Sequence, residues 1–101
     1  MSWRSRALEV AEELLRRHRG FVVSRRDGFV VVKLEVGGET WLVWVRSGPV
    51  TRRALELFER MVRGHEYDRL VLLKASDAAD HVSFRRLAER GIEVMTLGEF
   101  P

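Results

Sequence analysis

The chain has 101 residues, of which 46% are hydrophobic and 33% are charged, a balance typical of one globular domain and not of a disordered segment. No apolar run approaches the ~20 residues of a transmembrane helix, and the first residues lack the apolar core of a signal peptide. Cysteine is absent, which excludes disulfides and thiolate metal sites. These features predict a cytoplasmic protein without a membrane segment.

The charged residues are dominated by arginine. Sixteen of the 18 basic residues are arginine, whereas the net charge is only +3 because 15 acids offset them. Arginine suits phosphate recognition, but it also suits the ion-pair networks of heat-adapted proteins. The absence of asparagine and glutamine favours a thermophilic source. So do four pairs with the acid four residues before an arginine, namely Glu12/Arg16, Glu13/Arg17, Glu56/Arg60 and Glu59/Arg63.

Apolar periodicity in the first half predicts one helix and three strands. The helix runs from an N-cap at Ser2 to about residue 19, and Gly20 ends it. Asp27-Gly28 between valine-rich runs indicates a hairpin, and Gly37-Gly38 indicates a second turn. The economical interpretation is an antiparallel meander of strands 21–24, 29–36 and 40–46, with a turn at 25–28.

The second half predicts two helix–strand units. Thr51 can cap a helix that extends to about residue 63, and the apolar run 70–73 is typical of a strand buried on both faces. Ser76 or Asp77 then opens a third helix that ends at residues 90–91, before a final strand at 92–97. The order α-β-β-β-α-β-α-β predicts an α/β fold in which a mixed sheet is flanked by helices and the last two strands are parallel.

Five segments of the chain, in this order and spacing, carry a resemblance to a known family; they are 19–23, 38–43, 48–51, 68–73 and 87–94. Together they resemble the restriction-endonuclease-like superfamily, the PD-(D/E)xK nucleases. Within it, they are most similar to the Mrr-type and archaeal Holliday-junction-resolvase branches. The resemblance covers nearly the whole chain and implies a single nuclease-like domain, from an archaeal source.

The resemblance also implies where a catalytic centre would lie. In that family an aspartate on the second strand and a Glu-x-Lys on the third hold magnesium and position the attacking water. Here the glutamate position holds Trp44, the lysine position holds Arg46, and the aspartate falls near Val30 or Val31. Tryptophan and valine do not ligate a hard cation, and arginine is no base. The resemblance therefore implies a nuclease scaffold without a catalytic residue, metal or cofactor.

Displaced carboxylates offer one alternative. Asp27 and Glu35 bound the second strand, but they are roughly 26 Å apart at ~3.3 Å per residue, too far to share an ion without a bulge or a partner chain. Glutamates of the first helix correspond to a helix glutamate of the resolvases, although pairing with arginines explains them equally well; they are Glu9, Glu12 and Glu13. No two histidines have metal-ligand spacing, so we expect them to be structural or solvated; they are His18, His65 and His81.

Two classes of function are consistent with the sequence. The first is a nucleic-acid-binding domain, with DNA or another nucleic acid as partner. Its phosphate contacts are predicted at Arg25 and Arg26 on a hairpin tip and at Arg46, Arg52 and Arg53 around the former cleft and the following helix.

The second class is a protein-interaction or structural module, most simply a homodimer. Trp41 and Trp44 point to opposite faces of their strand, so at least one can lie at an interface; ordinary burial beneath the helices is the equal alternative. An active metal-dependent nuclease with displaced carboxylates is a third, less favoured hypothesis.

Overall fold

The computed structural model describes residues 3–26, 29–76 and 80–101. Its helices and strands follow the predicted order: α1 (Trp3–Arg17), β1 (Gly20–Arg26), β2 (Phe29–Val36), β3 (Glu39–Arg46), α2 (Arg52–Val62), β4 (Arg69–Lys74), α3 (Phe84–Glu89) and β5 (Ile92–Thr96). None of the helices in these ranges is long and apolar enough to cross a membrane.

The five strands form one mixed sheet in the order β1-β2-β3-β4-β5. The first three are antiparallel neighbours, whereas β3, β4 and β5 are parallel, which confirms the predicted meander and the parallel last pair. Parallel neighbours are joined by crossover helices, and both crossovers have the same hand. As a result α2 and α3 cover one face of the sheet and α1 covers the other.

Each face of the sheet has its own core. On the α1 side, Ala7, Ala11 and Leu14 of the helix pack on alternate residues of β2, β3 and β4. On the other side, α2 and α3 pack on the intervening residues of the same strands. Strand β4 contributes to both cores, because Val71 and Leu73 face α1 while Leu70 and Leu72 face the other helices. The prediction of a doubly covered strand at 70–73 is confirmed.

Strand β1 is longer than predicted. Arg25 and Arg26, expected in a turn, continue the strand and pair with Val30 and Phe29. The register of its pairing with β2 shifts between Val22 and Ser24, as at a β-bulge. After this shift the strand continues past the apolar run from which it was predicted. The predicted turn residues 27–28 lie outside the described part of the chain.

The third helix starts later than predicted. It begins at Phe84, and the side chain of Ser83 accepts a hydrogen bond from the backbone N–H of Arg86 at 3.2 Å. Before the helix, His81 contacts the loop after β3 instead, because its backbone N–H donates to the Val50 carbonyl at 2.9 Å. Ser76, one of the two predicted helix starts, donates its hydroxyl to the Ser47 carbonyl. The other predicted start, residue 77, is not among the described residues.

Candidate nucleic-acid interface

The positions where the resemblance would place metal-binding carboxylates are Trp44 and either Val30 or Val31, and all three are part of the hydrophobic core. Val31 pairs with Trp44 across β2 and β3, and both side chains are fully buried at 0% exposure. Trp44 stacks on Phe58 of α2 with ring centroids 4.8 Å apart, and it also contacts Phe29. Apolar side chains fill this space, and no group of three His, Asp or Glu in the described ranges could hold a metal ion.

Arg46 lies at the end of β3, on the same face of the sheet as Trp44. It pairs with Phe29 of β2 and with Lys74 of β4, so two cationic side chains adjoin at this edge. Its Nε donates to the Pro49 carbonyl at 3.1 Å. Burial lowers the pKa of its guanidinium, and the nearby Asp80 carboxylate opposes that shift. Arginine remains protonated under such conditions, so the edge carries a fixed positive charge.

A groove of about 560 Å³ opens between this edge of the sheet and α2. We call it the basic groove; it is lined by Phe29, Arg46, Thr51, Arg53, Ala54, Leu57 and Met61. Thr51 is the N-cap of α2, as predicted, and its Oγ1 accepts from the Ala54 N–H at 3.1 Å. Among the described residues that line the basic groove, two are arginines and none is acidic, so this lining is positively charged.

A second basic area adjoins the groove along α2. We call it the arginine surface; it is lined by Arg52, Arg53, Glu56, Leu57 and Arg60. Arg52 and Arg53 are exposed, and neither makes an ion pair with another described residue. With three arginines and one glutamate, the arginine surface is also positive. Unpaired exposed arginines of this kind are available for phosphate contacts.

The structure brings together some of the arginines predicted from the sequence and separates others. Arg46 and Arg53 line the same groove, and Arg52 lies beside Arg53. Arg25, however, pairs with Val30, whose side chain belongs to the α1-side core. The Arg25 side chain therefore lies on the α1 face of the sheet, opposite to the face that carries Arg46. Arg26 pairs with Phe29 through the backbone, at the sheet edge of the groove, and its side chain lies outside the described part of the chain.

Both tryptophans proposed for an interface are core residues. Trp41 is 4% exposed and Trp44 is 0% exposed, and they belong to the two opposite cores, as the period of a strand requires. The guanidinium of Arg69 lies 4.4 Å from the Trp41 ring centroid, and Phe100 meets the same indole edge-on. Side chains of this chain therefore cover both indoles, which agrees with the burial that the sequence offered as the alternative to an interface.

Two features of the site were not predicted from the sequence. Leu57 was left out of the predicted apolar face of α2, although it is four residues before Met61 of that face and packs against the same core; this spacing was the available signal. Asp80 was overlooked because its contacts depend on the folding of a loop. Its Oδ1 accepts from the Val50 N–H at 2.9 Å, and its other oxygen pairs with Lys74. Asp80 thereby joins the end of β4 to the loop that leads into α2.

The histidines do not assemble a site in the described ranges. His18 packs edge-on against Phe100 with centroids 6.0 Å apart, and its Nε2 is buried without a hydrogen-bond partner. His81 is exposed, and His65 donates its backbone N–H to the Val62 carbonyl. Comparison of the chain with protein-family models, with curated proteins and with solved structures found no match. Functional inference therefore depends on the fold and on the two basic areas.

Proposed function

We propose that this domain binds nucleic acid through the basic groove and the arginine surface, on a restriction-endonuclease-like scaffold that has no catalytic metal site. The observation that carries the proposal is the convergence of Arg46 and Arg53 on one groove, with Arg52 and Arg60 next to it. The resemblance places a nuclease centre at this same edge, where β2 begins and β3 ends.

Two features of the architecture support the scaffold. The antiparallel meander followed by parallel strands agrees with the order of elements on which the resemblance was based. The burial of Trp44 and of both Val30 and Val31 supports a scaffold without a metal site at the positions that the resemblance assigns to the carboxylates. Fold alone does not determine function, so the arginines supply the argument for binding.

The charges favour modest, salt-dependent binding. Only a few arginines are available, and each phosphate contact contributes roughly 0.9 to the slope of log affinity against log salt for duplex DNA, or about 0.7 for single strands. The contacts are to the backbone, so we expect little dependence on base sequence. Acids elsewhere on the chain limit non-specific attraction, because the net charge is only +3.

The proposal is tested by fluorescence anisotropy with single-stranded, duplex and branched DNA at two salt concentrations. R52A/R53A should weaken binding to every DNA form and reduce the salt dependence, because two phosphate contacts are lost. The matched control is R85A/R86A, which removes the same charge from exposed positions of α3. Equal losses in both variants would contradict the assignment, as would the absence of binding at low salt. Parallel samples with magnesium or manganese test for cleavage, and cleavage would favour the active-nuclease hypothesis instead.

Homodimerisation is a second candidate, supported by one observation. Phe21 and Val22 are 57% and 41% exposed on β1, which is an edge strand. Exposed apolar edge strands are sites of strand pairing between chains. Sedimentation at high protein concentration tests this: a dimer that F21K disrupts would support it, and a strict monomer would exclude it.

A further inference from the structure

The basic groove combines two kinds of surface. Arg46 and Arg53 supply positive charge, whereas Leu57 and Met61 supply accessible apolar area; Phe29 and Ala54 also line the groove but are only 5% exposed. Leu57 and Met61 are only partly buried, so their side chains reach the open part of the groove. Its volume of about 560 Å³ falls within the roughly 300–1,000 Å³ of small-molecule sites. A ligand that matches it must have an anionic part next to a flat, weakly polar part.

We infer that the groove accepts an unpaired base of a single-stranded nucleic acid, with the adjoining phosphate on Arg46 and Arg53. This inference rests on the proposed nucleic-acid binding and specifies the form that is bound. In a duplex the bases stay paired and stacked, so only phosphates can reach the basic groove. The apolar lining would then contact no part of the nucleic acid. A single strand presents both an accessible base and its phosphate.

The groove is already ordered for such a ligand. Arg46 is held by its bond to the Pro49 carbonyl at 3.1 Å, and the start of α2 is held by the Thr51 cap. Leu57 and Met61 are on the same helix, four residues apart, so they lie on one side of it. Binding therefore requires little rearrangement of these residues, and a preformed site loses less conformational freedom when it is occupied.

The test compares a labelled DNA strand with the same strand annealed to its complement, at one salt concentration. We expect the single strand to bind about tenfold more tightly. L57Q should bring the ratio of single-strand to duplex affinity close to one, because the apolar lining is lost while the arginines remain. The matched control is L97Q, at an exposed leucine outside the groove, and it should leave the preference intact. Thermal unfolding of each variant verifies that it is folded.

A competition experiment on the unaltered protein keeps the test independent of the variants. Adenosine monophosphate should displace the labelled strand at a concentration about tenfold lower than inorganic phosphate, because only the nucleotide fills the apolar part. Equal competition, or a duplex that binds as tightly as the single strand, would overturn the base-binding inference and leave phosphate binding standing. No binding of either DNA form at low salt would overturn the proposed function as well.

Discussion

Trp44 stacks on Phe58, with ring centroids 4.8 Å apart and ring planes inclined by 21°. This contact joins β3 to α2 at the position where the resemblance would place a metal-binding glutamate. A metal site there would need a solvated carboxylate, whereas the indole is fully buried. Trp44 therefore packs β3 against the helix that carries Arg52 and Arg53.

Replacing Trp44 should destabilise the fold severely. W44A should lower the free energy of unfolding by about 3–5 kcal/mol, because it leaves a large cavity between β3 and α2. W44F should cost only about 1–2 kcal/mol, since it keeps a ring against Phe58. The indole Nε1 has no hydrogen-bond partner that would be lost. Urea unfolding measures both values, and equal losses in the two variants would contradict the packing argument.

Magnesium should not stabilise the protein. The resemblance places its ligands at Trp44 and at Val30 or Val31, whose side chains do not bind a hard cation, so we expect the folded state to have no differential affinity for the ion there. Thermal unfolding midpoints measured with magnesium chloride should match those measured in sodium chloride of equal ionic strength. A saturable rise that a chelator reverses would show a metal site and would count against the interpretation.

Loss of the Asp80 carboxylate should destabilise the end of β4. Its side chain is 10% exposed, and the side chain of its partner Lys74 is 14% exposed. D80A should lower the free energy of unfolding by about 2–4 kcal/mol, because the Lys74 ammonium loses this carboxylate and the Val50 N–H loses its acceptor.

A surface ion pair provides the control for Asp80. The pair between Arg85 and Glu89 has side-chain exposures of 90% and 64%, so E89A should cost no more than about 0.5 kcal/mol. Chemical denaturation of both variants gives the comparison. Similar small losses would indicate that the Asp80 contacts contribute little to stability.

Gly20 should not tolerate a side chain. A Cβ at this position would lie 2.1 Å from the Lys33 carbonyl oxygen, so β1 would have to move away from β2. We expect G20A to destabilise the protein by about 1–3 kcal/mol through this overpacking. G98A is the control, since a Cβ at Gly98 would meet no atom within 4 Å. Unfolding midpoints of the two variants should differ clearly, and equal midpoints would contradict the predicted clash.

Glu93 should contribute stability that depends on pH. Hydrogen bonds from Arg69, at 2.7 and 2.8 Å, hold the pKa of the Glu93 carboxyl below its ordinary value of 4.5. Since the pKa is lower in the folded state, this stability is present above pH 4.5 and is lost as the pH falls through the folded-state pKa. E93Q should therefore be less stable than the unaltered protein at neutral pH, and the difference should vanish on acidification.

Urea unfolding midpoints at neutral pH and at several values below pH 4.5 test this dependence. The control is E66Q, which removes an exposed carboxylate from the loop before β4. A difference between E93Q and the unaltered protein that persists at low pH would show that the charged carboxylate is not its source.

The sequence allowed the order of elements, the antiparallel meander and the parallel last pair of strands to be predicted, because these depend on local periodicity and on short connections. Gly37-Gly38 and the Thr51 cap are properties of a few neighbouring residues, and the prediction was correct at both. Ion pairs were harder to predict from the sequence. Glu59, predicted to pair with Arg63 on its own helix, instead binds Arg90 at 2.7 Å, because a residue from another element offers a better-placed guanidinium.

The positions of the site residues were decided by the tertiary structure. The shift in register between Val22 and Ser24 places Arg25 on the α1 face, away from Arg46, and this shift depends on pairing with β2. Burial of Trp44 likewise depends on the close approach of α2. The order of residues along the chain determines where the arginines and the apolar residues lie, and its local periodicity determines which elements they form. Long-range packing decides which of them share a groove, because it brings together residues that are distant along the chain.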